Sequence, residues 1–121
     1  MKKIAIILMI LLQFGCSNSD MIEGSYVIEV TTFKYNSDVN PDQFWEEDAK
    51  IEATYTSVQP GYISRESGYS AGTDEVVVVV RWKTMKDAEA SMKKFMGDAS
   101  VMTYANMING NSMKMNRYAT K

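Results

Sequence analysis

Asp48 is the residue most in need of a chemical explanation. At 100° per residue, Phe44, Ile51, Tyr55 and Val58 fall on one apolar stripe of a helix, and Asp48 lies inside that stripe. A carboxylate in an apolar layer must be paired, hydrogen-bonded or protonated, because an unpaired charge there costs several kcal/mol or more. Two roles remain open: a fixed group held by Arg65, Arg81 or a tyrosine hydroxyl, or the catalytic acid or base of a pocket. Tyr55, Trp82, Phe95 and Tyr104 supply rings of the kind that line a flat aromatic pocket, with Arg65 as a cation beside them. Plain core packing competes with that reading, most of all for Phe95 on its helix stripe. Trp82 and Tyr104 carry polar atoms that need a partner once buried. Asn106 adds a hydrogen-bonding group for the pocket mouth.

The histidine count is zero. A Ser-His-Asp or Cys-His nucleophile system, a histidine-ligated zinc and a proximal-His haem are therefore all excluded. Cys16 is the single cysteine, so no intrachain disulfide forms. Ten methionines, less Met1 and Met9 of the leading segment, invite a Cu(I) reading. Met85, Met92 and Met96 share one helical face, however, where they read as core filler, and no metal or cofactor is expected. No basic run is present to neutralise phosphates, so nucleic acid is not an expected partner.

The elements that position these residues follow from pattern. Residues 25–35 are rich in β-branched and aromatic types and form the first strand. Asn40 as N-cap, Pro41 at the first position, Gln43 at N3 and a Val39–Phe44 staple start a helix that runs towards Gln59-Pro60-Gly61. Residues 62–68 and 75–83 pair as a hairpin around a turn at 69–74. Thr84, with Asp87 at N3, caps a second helix whose apolar face is Met85, Ala88, Met92, Phe95 and Met96, and Gly97 stops it. A loop with one helical turn, an Asn109-Gly110-Asn111 turn and a last strand over 112–118 complete a β-α-β-β-α-β order. That order is α+β and ferredoxin-like, with two helices on one face of an antiparallel sheet. Val76 to Val80 are apolar at every position, so the strand needs cover on both faces. The helices cover one; a second copy of the chain, meeting it sheet to sheet, covers the other and makes a dimeric α+β barrel.

Ahead of this domain, Lys2-Lys3, the apolar run Ile4 to Leu12 and Gly15-Cys16 resemble a bacterial lipoprotein export signal over residues 1–16. Leu12 stands four residues before the cysteine rather than the usual three. The signal implies a diacylated Cys16, a polar tether over 17–24, and a domain over 25–121 anchored by its lipid to the bacterial cell envelope, at the periplasmic face or cell surface.

Tyr26 to Phe33, Gln59-Pro60-Gly61-Tyr62 leading into a strand, Val80-Arg81-Trp82, Asp87 to Ala90 and Met113 to Tyr118 together resemble the antibiotic-biosynthesis-monooxygenase-like group of dimeric α+β barrel proteins. The resemblance implies one pocket per subunit, between helices and sheet. Its haem-degrading branch uses a histidine that this chain lacks. Its cofactor-free monooxygenases bind polycyclic phenols and orient them with Asn, Trp, Tyr and Arg. Three functions are therefore carried forward: a cofactor-independent oxygenase or isomerase acting on a small aromatic or quinone-like compound, a non-catalytic small-molecule binding or stress-related envelope protein, and a purely structural dimer.

Overall fold

The computed structural model describes residues 24–121. The export segment with Cys16, and all of the tether except Gly24, lie outside the described residues. Four strands, β1 (Val27–Tyr35), β2 (Tyr62–Ser70), β3 (Glu75–Trp82) and β4 (Ile108–Ala119), form one antiparallel sheet in the order β2-β3-β1-β4. Helix α1 (Pro41–Thr54) links β1 to β2, and α2 (Met85–Met96) with a single turn α3 (Met102–Ala105) links β3 to β4. This is the ferredoxin-like β-α-β-β-α-β fold.

Both long helices begin where capping chemistry places them. The Asn40 side chain accepts from the Gln43 amide with Pro41 at the first position, and the Thr84 hydroxyl accepts from the Asp87 amide. Each such cap satisfies an otherwise orphaned donor and contributes about 1 kcal/mol. Gly61 sits at φ 81°, a left-handed conformation that favours glycine, and its carbonyl accepts from the Lys83 amide.

The strands alternate as a pleated sheet requires. Val27, Glu29 and Phe33 of β1 and Val76, Val78, Val80 and Trp82 of β3 are buried towards the helices. The core closes on them with Phe44 and Ile51 of α1, Ala88 of α2, and Val101 and Tyr104 of the following turns. Ile28, Val30, Val77 and Val79 point the other way and remain half-buried at the centre of a sheet face that carries no helix, with Arg81 and Glu66 paired beside them.

Three sequence expectations are corrected. Helix α1 ends at Thr54 and tightens into a 3-10 turn over Thr56–Val58, so the 100° stripe does not extend to Val58, which is 69% exposed. The buried face of α2 centres on Ala88 and Ser91 with Met92 and Phe95 half-buried, which leaves Met85 and Met96 exposed, the latter at 75%. Asn109-Gly110-Asn111 lies inside β4, where the pairing with β1 shifts register between Thr32 and Lys34; Asn111 donates to the Asn109 side chain in a local turn within the strand.

Candidate functional site

Between the helices and the sheet lies a cleft of about 90 Å³. Its floor is the helix-facing side of β1 and β3, including Glu29, Val80 and Trp82. Arg65 of β2 stands on one side, Ile108 and Met113 of β4 on the other. Tyr55, Phe95 and Tyr104 close it from above. Tyr55 and Phe95 meet edge to face at 5.4 Å, while Tyr104 stacks on Phe44 at 5.4 Å, so packing fixes the rings that wall the cleft.

The floor has a definite order. Register pairs Arg117 with Glu29, Glu29 with Val80, and Val80 with Arg65, one row across all four strands. All four side chains share the helix-facing side. Glu29 and Arg65 therefore stand two strand spacings apart, about 10 Å between backbones, with an apolar valine between them.

Each charge in the row has a partner. Asp48 reaches from α1 to accept from Arg65 Nη2 at 2.7 Å and Nη1 at 3.3 Å, from Tyr104 Oη at 2.8 Å and from Ser67 Oγ at 2.5 Å. Glu29 accepts from Arg117 Nε at 2.7 Å and, more distantly, from Trp82 Nε1 at 3.4 Å. The Tyr55 hydroxyl donates to the Ser91 carbonyl at 2.9 Å. Among the described residues no buried side-chain nitrogen or oxygen lacks a hydrogen-bond partner.

Electrostatics follow from these contacts. Burial pushes the Asp48 carboxyl up, but the hydrogen bonds from Arg65, Ser67 and Tyr104, with the guanidinium charge, together bring it below its ordinary value. Burial and the neighbouring Asp48 charge drive the Tyr104 phenol far above its usual range, so it is a donor and not a phenolate. Burial also raises Tyr55. Asp48 is thus an ionised anchor at neutral pH.

Tyr55, Arg65, Trp82 and Tyr104 are brought together around the cleft, with Phe95 beside them. Asp48 does not line it: it stands behind Arg65 and Tyr104, 4% exposed, and fixes both. Of the two roles its sequence position allowed, the geometry matches the fixed group. Asn106 is exposed and does not line the cleft; its carbonyl accepts from the Asn36 side chain and its backbone amide donates to the Met102 carbonyl. Glu29 was not singled out from the sequence. The alternation Val27, Glu29, Thr31, Phe33 marks it, since a glutamate on the buried parity of a central strand is as anomalous as Asp48 in its stripe. Among the described residues no group of three or more Cys, Asp or Glu is placed to hold a metal ion.

No family model matches the chain, and no curated protein matches it. Solved structures do. A putative antibiotic biosynthesis monooxygenase from Nitrosomonas europaea is 19% identical, with a TM-score of 0.61 over 78% of this chain and 89% of that one. A dimeric ferredoxin-like protein of unknown function from Thermobifida fusca is 18% identical, with a TM-score of 0.62 over 80% and 92%. SnoaB, a cofactor-independent oxygenase from Streptomyces nogalater, is 14% identical, with a TM-score of 0.55 over 81% and 93%. At such identities the likeness is one of fold, and it is the fold of antibiotic-biosynthesis-monooxygenase-like and dimeric ferredoxin-like proteins.

Proposed function

We propose that the protein binds a small hydroxylated aromatic compound in the cleft and oxygenates it without a cofactor. The observation that carries this reading is the cleft itself: a ring-walled slot between helices and sheet, with Arg65 at one side held rigidly by Asp48. The relatives in fold named as a monooxygenase and a cofactor-independent oxygenase support it. A phenol with a hydrogen on the ring carbon to be attacked consumes one O2 and leaves as a quinone and one water. The balance needs no external reductant. What the chain contributes is orientation by the rings and Arg65, and exclusion of bulk water. With 1,5-dihydroxynaphthalene the full chain is expected to take up O2 and form 5-hydroxy-1,4-naphthoquinone, read by its visible absorbance, above the protein-free rate. A rate equal to that blank overturns the oxygenase.

The second reading is a non-catalytic small-molecule binding or stress-related protein of the same fold. It is favoured by the pairing of the buried side-chain polar groups among the described residues, which commits Asp48 and Tyr104 to holding Arg65 and each other rather than to a ligand. Binding without O2 uptake in the same experiment selects it. Two further features belong to the proposal. Two copies join through the face that carries Ile28, Val30, Val77 and Val79, as suits a chain whose fold is shared with dimeric proteins. Residues 1–16 direct export, and Cys16 carries the lipid that holds the protein to the bacterial envelope; incorporation of labelled palmitate, lost in Cys16→Ser, tests this.

A further inference from the structure

We infer that Glu29 sets the chemical class of ligand: it accepts a hydrogen bond from an aromatic hydroxyl, so that the cleft takes neutral hydroxyaromatics and turns away aromatic carboxylates and ethers. The inference rests on the small-aromatic reading of the cleft. It starts from burial and acceptor capacity. Glu29 is 5% exposed and lines the cleft floor, yet only two donors reach it. Arg117 Nε engages Oε2 closely at 2.7 Å, while Oε1 has only the 3.4 Å contact from Trp82 Nε1. A carboxylate offers about four lone-pair sites. Acceptor capacity is thus left on a group that borders the cavity, where a ligand donor meets it without competition from bulk water.

The row across the floor sharpens the match. Glu29 offers an acceptor at one end, Arg65, its fork closed on Asp48, offers its positive charge and remaining N–H groups at the other, and Val80 is a flat apolar rest between them. A hydroxyl at one edge of a fused ring and a carbonyl or second hydroxyl at the other suit the two poles. An aromatic carboxylate brings its charge against Glu29, and a methyl ether offers no donor there, which leaves the carboxylate oxygen desolvated without a gain.

The test uses binding alone, so it does not depend on turnover. 1-Naphthol, 1-methoxynaphthalene and 1-naphthoate are titrated into the full chain and followed by quenching of Trp82 fluorescence, with Trp45→Phe as the background to isolate that signal. The expected result is 1-naphthol bound about tenfold or more tightly than either of the others, in line with one charge-assisted hydrogen bond. In Glu29→Gln the preference collapses to within about threefold and 1-naphthoate gains affinity. Equal binding of 1-naphthol and 1-methoxynaphthalene by the unaltered protein overturns the inference while leaving the aromatic cleft standing, and this comparison holds even where the variant fails to fold. A folded Glu29→Gln that keeps the full preference overturns it likewise. Binding of none of the three overturns both the inference and the aromatic reading beneath it.

Discussion

Asp48 holds Arg65 by both carboxylate oxygens, at 2.7 Å to Nη2 and 3.3 Å to Nη1, with both side chains almost wholly out of solvent. The pair ties helix α1 to strand β2 at the side of the cleft. Removing one partner strands the other charge. Asp48→Ala is therefore expected to lose roughly 3–5 kcal/mol in denaturant unfolding, whereas the double change Asp48→Leu with Arg65→Met recovers most of it. A double variant no more stable than the single one overturns this account.

Acid should release the same anchor. The folded Asp48 carboxyl lies below its ordinary value of 3.8, because the contacts with Arg65, Ser67 and Tyr104 outweigh its burial. A lowered pKa means that the stabilisation is complete above the unfolded value and is lost as pH falls through the folded one. Melting temperatures compared between pH 7 and pH 2 should converge for the native chain and Asp48→Asn below about pH 4. A gap that stays constant across the range refutes the assignment.

Gly61 should tolerate no side chain. Its φ of 81° disfavours any Cβ, and a methyl there runs into the side chain of Asp87, which accepts the Thr84 hydroxyl at the start of α2. Backbone strain and a disturbed cap together predict a loss of about 2 kcal/mol in Gly61→Ala, measured by chemical denaturation. A neutral substitution shows that Asp87 moves away freely.

On the open sheet face, Val79 stands between Val30 and Glu66. Val79→Lys places a charge at the centre of that apolar patch. Light scattering should report a dimer for the native chain and a monomer for the variant, with helix content unchanged by circular dichroism. A dimer that survives the substitution puts the contact elsewhere.

The fold was legible because its signals are local. Asn40-Pro41 and Thr84 with Asp87 each name a helix start through one hydrogen bond, and the valine run names a doubly covered strand. The Asp48 cluster was half legible: helical phase showed that the carboxylate is buried, and the sequence offered Arg65, Arg81 or a tyrosine as its holder, but only the fold, with Arg65 on β2 and Tyr104 on the turn α3, brings these two to it together, while Arg81 turns to Glu66 on the other sheet face. Glu29 escaped because its significance depends on which parity of β1 faces the helices. Val58 and Asn106 failed for a common reason, since α1 and the turn before β4 end in short irregular segments whose phase no periodicity carries.

The cleft also has a place in the order of folding. Arg117, which holds Glu29, is 88 residues later in the chain than its partner, and the Thr120 hydroxyl that receives the Tyr26 amide is 94 residues later. Until β4 has paired, β1 lacks one neighbour and Glu29 lacks its cation. The hairpin of β2 and β3 joins neighbours in sequence, but the row across the floor of the cleft is complete only once the last strand has paired, so the cleft is a late product of folding.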